Sequence, residues 1–128
     1  MQIFVFGNPD IEVDALPIRL LPALRERMPG HTFVTLDPNE EWDVPRRMLI
    51  VDTVVGLEEP RLFEGLEYFM KSPRMTCHDF DAHANLLLLK KLGKIDDTTI
   101  LGLPPGYDAD KAVSWLTESI SALSTKKY

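Results

Sequence analysis

Short apolar segments of strand character alternate along this chain with stretches of helical period, and this alternation constrains the fold more than any other feature. Ile3-Phe4-Val5-Phe6 is a β-branched and aromatic run closed by the turn residues Gly7-Asn8-Pro9. Leu16, Leu20, Leu21, Leu24 and Met28 then recur at helical spacing. With Asp14 placed as N-cap and Pro29-Gly30 as a stop, a first helix is predicted over residues 15–28. Pro17 fits its first turn, whereas Pro22 lies inside and is expected to kink it. Residues 32–36 and 48–51 read as the second and third strands, joined by the polar loop 37–47. Part of 61–70 reads as strand, and Met75-Thr76-Cys77 as extended. A Leu-rich helix through Leu86, Leu87, Leu89 and Leu92 stops at Gly93. Thr98–Leu103 is a final strand, and Asp110 is placed to cap a last helix through Leu123. The order predicts an α/β fold: a single-domain three-layer sandwich, with an open, mostly parallel sheet carrying helices on both faces.

Composition narrows the function classes. At 128 residues the chain can bury one sizeable core and is too short for two ordinary domains. Twenty acidic against fourteen basic residues give a net charge of -6, without a Lys/Arg run, so the electrostatic term behind nucleic-acid affinity is missing. No apolar stretch exceeds four residues, as at Leu86 to Leu89, far below the roughly 20 residues of a membrane span. No secretory signal opens the sequence, and Cys77 is the lone cysteine, which together read as a cytoplasmic protein. Monomer is the default expectation.

In an open α/β sheet ligands bind outside the carboxyl ends of the strands, so residues following each strand carry most weight. Asn8, Asp10, Glu12 and Asp14 follow strand one, Asp37 strand two and Asp52 strand three; His78, Asp79 and Asp81 precede the middle helix. Carboxylates gathered at one edge repel one another, and a bound metal or cationic group makes such a cluster favourable. Each has an ordinary alternative: Asp14 as helix cap, Asp10 and Glu12 as solvated loop acids, His78 as an exposed loop histidine. His78 and His83 are five positions apart, about 140° on a helix, so they are not a helical zinc pair. Cys77 and His78 are adjacent in an extended segment and point opposite ways, which disfavours a Cys–His dyad; Cys77 reads as a buried, inert thiol. Neither a dinucleotide fingerprint nor a P-loop is present. His31 reads as a surface residue on the opposite edge from the acids.

Phe6-Gly7-Asn8, Asp14 opening an amphipathic helix, Asp37 after strand two, Leu49-Ile50-Val51-Asp52, Thr76-Cys77-His78 ahead of a Leu-rich helix, and Ile100-Leu101-Gly102-Leu103-Pro104 together resemble the hydrogenase maturation proteases. The match runs in register over most of the chain, and the ordered set carries it rather than any one piece. The resemblance implies a nickel-dependent endopeptidase that removes the C-terminal extension of a [NiFe] hydrogenase large-subunit precursor. It implies a metal site at Asp14, Asp52 and His78, an O,O,N donor set that suits Ni(II) and would also suit Zn(II). Nickel would arrive in the substrate, so the isolated protein is expected to be metal-free. Asp10, Glu12 and Asp79 remain alternatives for a general base. The chain departs from the family pattern at Ala15-Leu16-Pro17 and at Pro38-Asn39, where the family usually has glycines.

Two other classes compete. A Mg-dependent phosphoacceptor receiver domain would use Asp52 as acceptor, but it also wants a lysine ending the last strand, where Leu103-Pro104-Pro105 stands. A non-catalytic hydrogenase-assembly module would bind the large subunit without cutting it. Charge adds one more expectation: Asp10, Glu12, Asp14, Asp37, Asp52, Asp79 and Asp81 at one rim, and Arg25, Arg27, Lys90 and Lys91, at helix C-termini, at the other.

Overall fold

The computed structural model describes residues 1–8, 10–36, 42–65 and 80–125. Their elements are β1 (Gln2–Val5), a 3-10 turn (Glu12–Asp14), α1 (Leu16–Arg19), α2 (Leu21–Arg27), β2 (Thr32–Thr35), β3 (Met48–Thr53), β4 (Arg61–Glu64), α3 (Phe80–Lys91), β5 (Thr98–Leu103) and α4 (Ala109–Ser124). The strands form one five-stranded sheet in the order β2-β1-β3-β5-β4. Neighbours run parallel except β4, which pairs antiparallel with β5. The expected mostly parallel α/β architecture is the one observed.

Period-two alternation along the strands divides the core into two layers. Ile3, Val5, Leu49, Val51, Leu101 and Leu103 face α1, α2 and α4, packing with Leu16, Leu20, Leu24, Leu116 and Ile120. Phe4, Phe6, Met48, Ile50 and Ile100 face the other way, against Leu86 of α3, Ile95 and Phe63. Every residue of β3 and β5 is buried. Helices on both faces explain why these central strands read as unbroken apolar runs. Among the described residues no helix is long and apolar enough to cross a membrane.

Several boundaries differ from expectation. The first helix is not continuous over 15–28: it breaks at Leu20 and restarts as α2, with Pro22 in the first turn of the new helix. Pro22 has no N–H for the carbonyl of Ile18 and its ring crowds that carbonyl, so two short helices replace one kinked helix. Asp14 does not cap it; Ala15 stands at the N-cap and no side chain caps α1. The last helix is capped by Asp108 rather than Asp110: Asp108 has extended backbone and its Oδ2 accepts the Lys111 N–H at 3.0 Å. β3 runs two residues further than predicted, so Asp52 lies within the strand. Of the ambiguous segment 61–70, Arg61–Glu64 is strand. Gly93, at φ 72°, ends α3 in the left-handed conformation that glycine adopts freely. Residues 75–77, read as extended, lie outside the described residues.

Candidate functional site

The chain leaves β1 for its edge neighbour β2 through α1 and α2 on one face. It leaves β3 for β5 through β4 and α3, with α3 on the opposite face. The direction of winding therefore reverses between β1 and β3, and a crevice is expected beyond their carboxyl ends. Their parallel register is recorded at Phe4–Ile50 and Val5–Val51, with one more bond from the Phe6 N–H to the Val51 carbonyl at 3.0 Å.

Past that point the chain turns sharply. The Asn8 N–H donates to the Asp14 carbonyl at 3.1 Å, Asp10 N–H to Asn8 Oδ1 at 2.9 Å, Ile11 N–H to the Asn8 carbonyl at 3.1 Å, and Asp14 N–H to the Ile11 carbonyl at 2.9 Å. These bonds fold the 3-10 turn back onto the end of β1. Gly7 makes the approach possible: a Cβ there would lie 2.8 Å from the Asp14 carbonyl oxygen and 3.0 Å from Ile18 Cγ1. Asp14, 3% exposed, is thus carried into the interior next to β3 by backbone geometry.

Asp52 is 1% exposed, and its Oδ1 accepts the Thr53 N–H at 2.8 Å. Its register partner on β5 is Gly102, where a Cβ would come within 3.0 Å of Phe63 Cε2 and of Val54 Cγ2. Glycine there lets Phe63 and Val54 close over β5 opposite Asp52. Two carboxyl groups removed from water at a topological switch point are costly to keep unless they have charge partners or bind a cation.

The remaining acids differ in kind. Glu12 is exposed and tied to Arg19 by two bonds, the shorter 3.0 Å, and that guanidinium holds its carboxyl below the usual range. Asp10 is exposed beside the turn. His78, Cys77, Asp79 and Asp37 lie outside the described residues, as does the side chain of Asp81. Among the described residues no group of three or more His, Cys, Asp or Glu gathers as a metal site. Asp14 and Asp52 both lie at the carboxyl-terminal end of the sheet. His31 is on the opposite edge as expected but is half-buried rather than surface, and burial lowers its imidazole pKa, with the N-terminal amine adding to the effect.

Charge is polarised, with exceptions. Glu58, Glu59, Asp108 and Asp110 join Asp10 and Glu12 at the crevice rim, and Glu59 Oε2 accepts a hydrogen bond from the Tyr107 hydroxyl at 3.1 Å across two rim loops. Arg25, Arg27, Arg46, Arg47, Lys90 and Lys91 lie at the other edge, where Asp96 and Asp97 pair with Arg46 and Arg47 at 2.9 and 3.7 Å. Arg19 and Lys111 sit on the acidic rim. Sequence reasoning missed Gly7 as the residue that lets the Asp14 turn close on β1, and Gly102 as the one that admits Phe63 and Val54 against β5. Each stands at or near the end of an apolar strand run, the only signal that could have found them.

No protein-family model matches the sequence, and no curated relative does. Solved structures do match. The [NiFe] hydrogenase maturation protease HybD from Thermococcus kodakarensis superposes with a TM-score of 0.65 at 20% identity, over 92% of this chain and 98% of that one. The hydrogenase maturating endopeptidase HybD from E. coli gives 0.65 at 15% identity, over 99% and 94%. The solution structure of an endopeptidase from Escherichia coli gives 0.67 at 15%, over the same shares. These neighbours include proteins of the family that the ordered motifs resemble, and at such identity the likeness establishes the shared fold.

Proposed function

We propose that the chain is an endopeptidase of hydrogenase maturation, cutting the C-terminal extension from a [NiFe] hydrogenase large-subunit precursor whose nickel is already in place. The observation that carries this reading is the pair of almost wholly buried carboxylates, Asp14 and Asp52, at the switch point of a sheet with the HybD fold. Asp14, Asp52 and His78 would receive the nickel borne by the substrate, two hard oxygens and one imidazole suiting Ni(II). Bound there, nickel would polarise the scissile carbonyl or activate a water.

The chain's own part is positioning. Asp52 is oriented by the Thr53 amide, and Asp14 by the turn folded over Gly7. Asp10, exposed beside the site, is a better candidate than the Arg19-bound Glu12 to accept the proton of the attacking water, with Asp79 a further one. The acidic rim suits a basic or metal-bearing partner. The same reading makes the protein cytoplasmic.

A receiver domain is disfavoured because β5 ends at Leu103-Pro104 without a lysine, and because an antiparallel edge strand breaks the all-parallel 2-1-3-4-5 order of that fold. Mass spectrometry of the large subunit, with and without this protein and with and without nickel, tests the reading. Loss of a C-terminal peptide only when both are present is expected. Stable co-purification with an intact tail would make the chain a binding module instead.

A further inference from the structure

One polar atom on the Asp14 side of β3 has no role in the reading above. Thr53 is 2% exposed, and its Oγ1 is buried without a hydrogen-bond partner among the described residues. A hydroxyl sealed from water and unmatched destabilises the folded chain, so valine, of the same shape, would pack better at this position. Leu49, Val51 and Thr53 follow one another on one face of β3, and the first two pack against α1 and α2. The register Val5–Val51 carries forward to put Gly7 beside Thr53, and the space over Gly7 is closed by the Asp14 carbonyl and Ile18. Thr53 therefore lies beneath the turn that presents Asp14, while its own amide holds Asp52. The other such hydroxyl, Thr98 Oγ1, is at the far end of the sheet, remote from both acids.

We propose that Thr53 is a positioning residue of the carboxylate pair: when a divalent cation docks at Asp14 and Asp52, the Thr53 O–H donates to an Asp14 carboxylate oxygen and holds it in the binding orientation. An ionised carboxylate has room for several donors, so this bond adds to those already made. The proposal rests on the functional reading only in taking the pair as a cation site. Hydroxyl support of ligand orientation is a general way of tuning such sites.

The test uses the full chain with nickel chloride as probe, by calorimetric titration, together with thermal melts of the metal-free protein. T53V is expected to melt above the wild type without metal, and to bind nickel about tenfold more weakly, the loss of one hydrogen bond to a charged group. T53S keeps the hydroxyl and is expected to bind as the wild type does. A lower melt for T53V, an unchanged nickel affinity, or no nickel binding by the wild type would each overturn the proposal. Precursor cleavage by the same wild-type preparation is scored separately. Cleavage with unaltered T53V affinity removes the role of Thr53 and leaves the protease reading standing. No cleavage, with the expected T53V effects, does the reverse.

Discussion

At the scale of single residues, this site depends on atoms that are missing as much as on those present. Gly7 has no Cβ where one would press to 2.8 Å of the Asp14 carbonyl, so Gly7→Ala must push the 3-10 turn away from β1. The expected loss is about 1–3 kcal/mol in denaturant unfolding, with precursor processing falling further than stability alone explains. Asp52→Asn removes a buried charge while keeping shape, so thermal melts should hold or rise, whereas processing of a nickel-loaded precursor should fall on the order of a hundredfold. Normal processing by a folded Asp52→Asn protein would sink the proposed mechanism. Asp52 was legible in the sequence because an acid ending an apolar strand has few structural reasons to be there. Asp14 was visible as a residue but not as a buried one, since the same position suits a helix cap and only the chain reversal at Asn8 excludes that.

Among the elements, caps and breaks decide which segments are helices. Pro22 divides the expected first helix into α1 and α2, since a proline denies one carbonyl its donor wherever it falls. The division lets α1 stay close to the 3-10 turn and β3 while α2 reaches back toward β2 and α4. At α4 two aspartates stood close enough to cap, and the local backbone chose Asp108. Asp108→Ala should cost about 1 kcal/mol, and Asp110→Ala, which keeps the cap, well under that; denaturant midpoints at equal slope would distinguish them. Since α4 covers one face of the sheet with Ala112, Val113, Leu116, Ile120 and Leu123, the Asp108 loss should appear in global unfolding rather than as local fraying.

For the whole molecule, charge and pH report on the assembled fold. Burial and the nearby N-terminal amine lower the His31 imidazole pKa from its ordinary value of 6.5. Below that value the unfolded chain takes up a proton more readily than the folded one. The stability His31 contributes is thus present above about pH 6.5 and lost as pH falls through it. Melting temperature should drop between pH 7.5 and 5.5, and His31→Gln should flatten that slope; an unchanged slope would assign it to other groups. The Arg46–Asp96 and Arg19–Glu12 pairs hold their carboxyls below the usual range, so their contribution exists at neutral pH and disappears only in acid. Both pairs are largely exposed, and added salt should weaken them first. Local information in the sequence determined the succession of most strands and helices and that acids follow several strand ends, because periodicity and turn residues are written within a few positions of each residue. Tertiary structure alone decided that β4 turns antiparallel onto β5, that the Asp14 turn closes over Gly7, and that the Thr53 hydroxyl is sealed from water. Those outcomes depend on contacts between segments tens of residues apart, and such contacts exist only once the chain has closed on itself.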